Sequence, residues 1–325
     1  MSAAMLLMAG CSGPQRGRKK GDRFMLGLEY FSFRALWSPW LLFLTIALLI
    51  GYFYLIGPWR LKHFPNERRA TPWQQLMAVS GIVLLYIAQG GPMNLLGHLM
   101  FTFHMANMSI SYLIAPPLII LGIPAYVWRF TFGKPFWKRF SRSMNPIFTL
   151  VLFNVLFSFY HIPAAHDYIM TNYLLHEFYY FVLLVTAMMM WWQITCPVPE
   201  WSRLNGLRKM AYVFASGVLL TPACALIIFA GEPMYAVYND PNVWAKAMNY
   251  CVAGNTQQLL SQFQGPAFFN LMAPAEDQQL GGILMKLVQE IMYGCILAYI
   301  FSQWNRQENA ESDGDLRGTG PAGTV

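Results

Sequence analysis

The sequence contains little charge. Of its 325 residues, 11% are Asp, Glu, Lys or Arg, whereas 56% are hydrophobic and the mean hydropathy is +0.37. Soluble domains are about 25% charged, and several runs here approach the roughly 18–20 apolar residues that cross a bilayer. This composition argues against a soluble protein. It predicts an all-α, polytopic membrane helix bundle that lies in the lipid bilayer.

Cysteine is also scarce, and the common catalytic motifs are missing. The five cysteines form no C-x-x-C pair, so neither a zinc ribbon nor a disulfide scaffold is indicated. There is no nucleotide-binding loop, nucleophile elbow or HExxH motif, and we therefore predict a protein that is not an enzyme. The net charge of +7 forms no basic stripe with interleaved aromatic residues, so we expect no nucleic-acid partner.

Seven apolar segments predict seven transmembrane helices. They occupy residues 40–56, 73–89, 94–115, 147–160, 173–194, 210–229 and 280–301. A short helix is predicted around residues 242–260 in the long connection before the last span. Residues 1–24 are predicted to be a disordered tail or a misassigned start upstream of Met25. Residues 25–304 form the predicted membrane domain, and residues 305–325 a disordered cytoplasmic tail.

Basic residues alternate between the predicted loops. The loops after spans one, three and five contain 4, 5 and 3 Lys or Arg, whereas those after spans two, four and six contain 0, 0 and 1. Basic loops remain in the cytoplasm. We therefore predict that the N-terminus lies outside and the C-terminus inside.

Five of the six histidines then fall toward the outer face, and only His63 is cytoplasmic. Histidine is costly in hydrocarbon and marks a candidate functional site. If the third span is one helix from Asn94, His104 lies near the middle of the bilayer and shares a face with Met108. His98 shares a face with Met105 in the same way. Pro116 and Pro117 are expected to break this helix.

The combination of histidine and methionine favours a soft metal such as Cu(I). Glu177 could orient a ligating histidine, as carboxylates do around metals, while Met105 and Asp277 lie beside the site. Asp277 could instead cap the seventh span. The predicted metal ligands are His98, His104, Met108, His161 and His176.

Four other polar residues are given structural roles. His166 and Asp167 are expected to be solvated residues of a loop between the fourth and fifth spans. Lys286 and Glu290 are four residues apart on the last span and are expected to pair with each other.

Four segments resemble the CtaG family of cytochrome c oxidase assembly factors. They are HMANMSISYLIAPPLIILGIP from residue 104, YHIPAAHDY from 160, LLHEFYYFVLLVTAMMMWW from 174 and DQQLGGILMKLVQEI from 277. The resemblance extends from Met25 to about Trp304. In that family a second histidine often occupies the position of Met108 here.

This resemblance implies a role in maturing a bacterial caa-type cytochrome c oxidase by handling Cu(I) at the outer half of the membrane. The implied partners are the oxidase subunits and a soluble extracytoplasmic copper donor. The implied location is the bacterial plasma membrane, crossed several times.

Three alternatives remain open. The chain could be a zinc-dependent intramembrane hydrolase with His98, His161, His176 and Asp277 as ligands. It could be a metal transporter, which would need polar residues that continue into the cytoplasmic half. It could also be a metal-free scaffold for oxidase subunits, in which the histidines are merely hydrogen-bonded.

Overall fold

The computed structural model of the chain describes residues 28–136, 144–249 and 256–318, and every regular element in these ranges is helical. The predicted N-terminal tail or misassigned start, residues 1–24, lies outside the described residues. So does the last part of the predicted C-terminal tail, from residue 319 onward.

Twelve helices are labelled here in chain order. They are α1 Pro39–His63, α2 Pro72–Gly90, α3 Pro92–Leu99, α4 Phe101–Gly122, α5 Ala125–Phe132, α6 Pro146–Tyr160, α7 Pro163–Met170, α8 Tyr173–Thr195, α9 Gly206–Phe229, α10 Pro241–Met248, α11 Thr256–Phe263 and α12 Pro274–Gly318. Seven of them begin with a proline, because proline fits the first helical turn. At α2 this residue is Pro72, and Thr71 before it caps the helix.

The bundle has five to seven membrane spans within the described residues. Five helices, α1, α4, α8, α9 and α12, are long and apolar enough to cross a bilayer alone. The pairs α2–α3 and α6–α7 are bent by 44° and 80°, and counting each pair as one span gives seven. The prediction of a polytopic all-α bundle is confirmed. The direction in which it crosses the membrane stays a prediction from charge.

The basic loops meet at one end of the bundle. Arg129 donates from Nε to Glu200 Oε1 at 2.6 Å and lies 3.7 Å from Glu67 Oε1. The guanidinium thereby holds the pKa of Glu200 below its ordinary value. Through Arg129, Glu67 and Glu200, these contacts join the predicted loops after spans one, three and five. We call this the basic end. The opposite end, where α2 ends at Gly90 and α4 begins at Phe101, is called the histidine end.

The third predicted span is not one helix, and the prediction that it runs unbroken from Asn94 is wrong. Met100 has an extended backbone, with φ −139° and ψ 136°, and separates α3 from α4. His98 and His104 therefore lie on different helices, so the predicted shared face of His98 and Met105 does not exist. His104 lies in the first turn of α4, about 4.5 Å along the axis from Phe101, at the start of this candidate span.

A carboxylate from the far end of the sequence starts α4 at this position. Asp277 on α12 accepts hydrogen bonds from the backbone amides of Phe101 at 2.6 Å and Thr102 at 3.2 Å. These amides belong to the first helical turn, which has no partners within the helix. Asp277 is thus a helix cap, but of α4 and not of its own helix as the sequence had suggested. A Cβ at Gly281 would come within 2.8 Å of the Phe101 ring, so glycine allows this close approach.

Pro116 and Pro117 do not end α4, contrary to the prediction. A π-helical turn at Ile110–Ile114 precedes them, and the helix continues to Gly122. A wide turn changes the hydrogen-bond register, so the two missing amide donors fall in the first turn of the continuing segment, where proline is tolerated.

The long connection between α9 and α12 folds over the histidine end as a lid, which we define as residues 230–249 and 256–273. It contains α10 and α11 where one helix was expected. Trp244, Met248 and Phe263 pack against Leu95 and Leu99 of α3. The lid is therefore held by apolar burial on the helix that carries His98.

The expected pair on the last span is confirmed. Lys286 Nζ lies 2.6 Å from Glu290 Oε1 and donates a second hydrogen bond to Thr221 on α9.

Removal of the cap on α4 should destabilise the bundle. Asp277→Ala leaves two amides in the first turn of α4 unpaired, and we expect a loss of about 2 kcal/mol. The measurement is the thermal unfolding midpoint in detergent. Glu276→Ala is the matched control, because that neighbouring carboxylate is exposed and accepts only a 3.4 Å hydrogen bond from the Ala273 amide. Equal midpoints for the two variants would show that the Asp277 cap contributes nothing.

Candidate histidine pocket

Five histidines converge at the histidine end from five segments of the bundle. Each is at most 6% exposed. His98 lies on α3, His104 on α4, and His176 on α8, while His161 ends α6 and His166 lies on α7. The sixth histidine, His63, lies at the basic end. The convergence predicted from charge counting is therefore present, although its membrane side is not determined by the fold.

The rings form two adjoining groups. His104 is central in the first group, with ring centroids 5.1 Å from His166 and 6.3 Å from His161. His98 and His176 form the second group at 5.5 Å. We call the two groups together the histidine pocket.

Two of these imidazoles are anchored through Nδ1. His98 Nδ1 lies 2.9 Å from the Asn94 carbonyl oxygen, and His161 Nδ1 lies 2.7 Å from the Phe157 carbonyl oxygen. A carbonyl oxygen only accepts, so Nδ1 must carry the proton in each pair. In a neutral imidazole, Nε2 then carries the lone pair that a metal would use.

Four Nε2 atoms in the pocket are buried without a hydrogen-bond partner. They belong to His104, His161, His166 and His176. A buried polar atom without a partner usually costs about 1–3 kcal/mol. Four unpaired Nε2 atoms in one pocket therefore need a chemical explanation.

Aromatic side chains enclose the first group. The Tyr160 ring stacks on His104 at 5.6 Å, and Tyr235 packs edge-on to His166 at 4.7 Å. Tyr235 also donates to the His161 carbonyl oxygen, while Tyr238 donates to that of Gly97. The lid thus supplies two walls of the pocket.

Asp167 and His166 are not solvated loop residues, and that prediction is wrong. His166 is fully buried on a short helix. Asp167 accepts from the backbone amides of Ala236 at 3.0 Å and Val237 at 3.1 Å. The lid buries His166, and the sequence around His166 gave no sign of this cover. Asp167 in turn connects the lid to α7 through its hydrogen bonds.

His166 was missed as a candidate ligand, as were the enclosing tyrosines. One signal in the sequence could have found it. Pro163 is followed by Ala-Ala-His-Asp, and proline favours the first position of a helix. A helix starting there places His166 in its first turn, next to the end of α6.

The remaining predicted residues have distinct positions. Glu177 Oε1 lies 3.5 Å from His176 Nδ1, so this carboxylate is next to the imidazole it was expected to orient. Met105 and Met108 are buried in the main apolar core of the bundle. Asp277 has both carboxylate oxygens engaged by the start of α4. Among the described residues, no group of three or more His, Cys, Asp or Glu is arranged to hold a metal ion.

Comparison with known proteins gives one match. The family model described as cytochrome c oxidase caa3 assembly factor (Caa3_CtaG) matches residues 50–307. The chain belongs to this family. No curated protein and no solved structure matches it significantly. The part of this assembly factor that matches includes α2 to α11, and with them the five histidines of the pocket.

In this assembly factor, loss of the Asp167 tie should loosen the lid. Asp167→Ala removes the acceptor of the Ala236 and Val237 amides, so we expect faster hydrogen–deuterium exchange at those two positions. Mass spectrometry of peptides covering residues 230–249 measures this change. Glu232→Ala is the control, since Glu232 is an exposed carboxylate on the same segment. Equal exchange in both variants and the parent protein would contradict the role of Asp167.

Proposed function

We propose that this caa3 oxidase assembly factor carries Cu(I) as cargo in the histidine pocket and transfers it to the oxidase. The observation that supports the proposal is the set of four buried Nε2 atoms without hydrogen-bond partners. A bound metal ion would use these lone pairs and remove the cost of leaving them unsatisfied.

The charge of the pocket favours a monovalent ion. Beside the first group, the carboxylates of Asp167 and Asp277 are engaged by backbone amides, so they are not free to neutralise a dication. The other nearby carboxylate, Glu177, lies beside His176 in the second group. Burial of an uncompensated charge is costly, and the cost rises with the charge. Neutral imidazoles in an apolar enclosure suit Cu(I), which prefers soft ligands and few of them.

The first group of the pocket is the proposed holding site. His104 lies between His161 and His166, and rotation of these rings would bring a pair of Nε2 atoms to one ion. A pair of ligands is a smaller requirement than the group of three that the described residues do not form. His98 and His176 are the proposed second pair, along which copper enters or leaves. Met108, four residues after His104 on α4, is the proposed sulfur ligand, and Met105 lies beside the site.

Two alternatives are less well supported. An intramembrane zinc hydrolase would use Asp277 as a ligand, but that carboxylate caps α4. We infer a role that is not enzymatic, in keeping with a family of assembly factors. A metal-free scaffold would leave four imidazole nitrogens buried and unused.

The proposal implies a location and partners. With the basic loops in the cytoplasm, the histidine end faces outward from a bacterial plasma membrane. A soluble extracytoplasmic copper donor would then approach the lid, and oxidase subunits would receive the ion at the same end.

Copper retention by the purified protein tests the proposal. Cu(I) is supplied under anaerobic reducing conditions, excess is removed, and bound copper and zinc are quantified by mass spectrometry. We expect the parent protein to retain copper, and the double variants His104→Ala with Met108→Ala and His104→Ala with His166→Ala to lose it.

The matched control is His63→Ala, which removes the histidine at the basic end and should retain copper. Circular dichroism checks that each variant is folded. Unchanged copper stoichiometry in both double variants would refute the site. Retention of zinc without copper, unchanged when Met108 is substituted, would favour the hydrolase. A parent protein that retains no metal would favour the scaffold.

A further inference from the structure

A separate cavity lies at the basic end of the bundle. Its volume is about 360 Å³, and it opens beside the kinked end of α1. The α2 helix, 19 residues long, begins at this cavity and ends at Gly90 at the histidine end, and its axis is about 28 Å long. The cavity therefore cannot share a ligand with the histidines.

Two guanidinium groups line this cavity. Arg69 is exposed, whereas Arg60 is only 5% exposed. Arg60 donates from Nη1 to the Glu67 backbone oxygen at 2.8 Å, but its Nε is buried without a hydrogen-bond partner. A buried charged donor without an acceptor is costly. An anion in the cavity would compensate the charge of this guanidinium.

No carboxylate among the described residues lines the cavity to balance these charges. Glu67 is the nearest acid in sequence, and its side chain points to Arg129 at 3.7 Å. Gln75, which also lines the cavity, donates through Nε2 to the Ala70 carbonyl oxygen. The cavity consequently keeps a net positive charge.

The shape of α1 opens the space between the arginines and the bilayer. Gly57 leaves helical geometry, with φ −103° and ψ −105°, inside a π-helical turn that contains Pro58. A Cβ built at Gly57 would meet no atom within 4 Å, so the cavity is open along this side. Missing backbone donors and wide turns are frequent causes of helix kinks.

Apolar side chains flank the cavity on the lipid side. Phe53 is 47% exposed and Leu61 is 57% exposed. Only 6% of the most apolar stretch of α1 is buried inside the protein, so this helix faces lipid over most of its length. An occupant with a phosphate at one end and acyl chains at the other would match both surfaces.

We propose that this cavity is a binding site for the phosphate of an anionic phospholipid. Guanidinium groups bind phosphate oxygens through paired, charge-assisted hydrogen bonds. The guanidinium groups of Arg60 and Arg69 face the phosphate, while the acyl chains lie along Phe53 and Leu61. Two positive charges favour a headgroup with net negative charge over a zwitterionic one.

Native mass spectrometry of the full-length protein in detergent tests this site. Dioleoyl phosphatidylglycerol, dioleoyl phosphatidylcholine and inorganic phosphate are titrated separately. We expect saturable binding of phosphatidylglycerol, weaker binding of phosphatidylcholine, and no displacement of bound lipid by inorganic phosphate at equal concentration. Arg69→Gln should weaken phosphatidylglycerol binding about fivefold, the change expected for one basic residue at an anionic lipid surface.

Arg68→Gln is the matched control, because Arg68 is an exposed neighbour that does not line the cavity. It should leave binding unchanged. Arg60→Gln should weaken binding at least as much as Arg69→Gln. Arg60 also supports the loop through its hydrogen bond to Glu67, so the Arg60→Gln variant can fail to fold. In that case the comparison of Arg69→Gln with Arg68→Gln tests the proposal. Three results would each overturn the proposal. They are equal effects of Arg69→Gln and Arg68→Gln on lipid binding, equal binding of phosphatidylglycerol and phosphatidylcholine, and displacement of bound lipid by inorganic phosphate.

Discussion

The carboxylate of Asp277 joins two helices that are 176 residues apart in sequence. By accepting the amides of Phe101 and Thr102, it determines where α4 begins, and the start of α4 determines where His104 lies. The close passage at Gly281 makes this contact possible. If α4 began elsewhere, the ring of His104 would turn away from those of His161 and His166. The arrangement of the histidine pocket therefore depends on this one buried charge-assisted cap.

The lid completes the pocket through polar contacts rather than through a second set of membrane helices. Asp167 holds the backbone at Ala236 and Val237, and Tyr235 and Tyr238 reach back to carbonyl oxygens beside the histidines. These contacts bury the imidazoles, each of which is at most 6% exposed. A buried polar group in such a low-dielectric enclosure is costly without a partner, and four Nε2 atoms lie there without one.

The sequence predicted the helices well because long apolar runs with capping residues and prolines fix them locally. The Lys286–Glu290 pair was predictable for the same reason, since its spacing lies within one helix. The break at Met100 was not predictable, because its neighbours are apolar and the cap that causes it comes from α12. Burial of His166 was missed because the lid that covers it is distant in sequence. The continuation of α4 through Pro116 depends on a π-helical turn that no local residue signals.

The central claim is that the histidine pocket supplies copper to the oxidase that this family assembles. Its most direct test is the metal content of the caa3-type oxidase purified from cells whose only copy of this protein carries His104→Ala. The account predicts an oxidase that keeps its heme and loses copper, whereas cells carrying His63→Ala yield a fully metallated enzyme. An oxidase with full copper content in the His104→Ala cells, or one that loses heme as well as copper, would contradict the account.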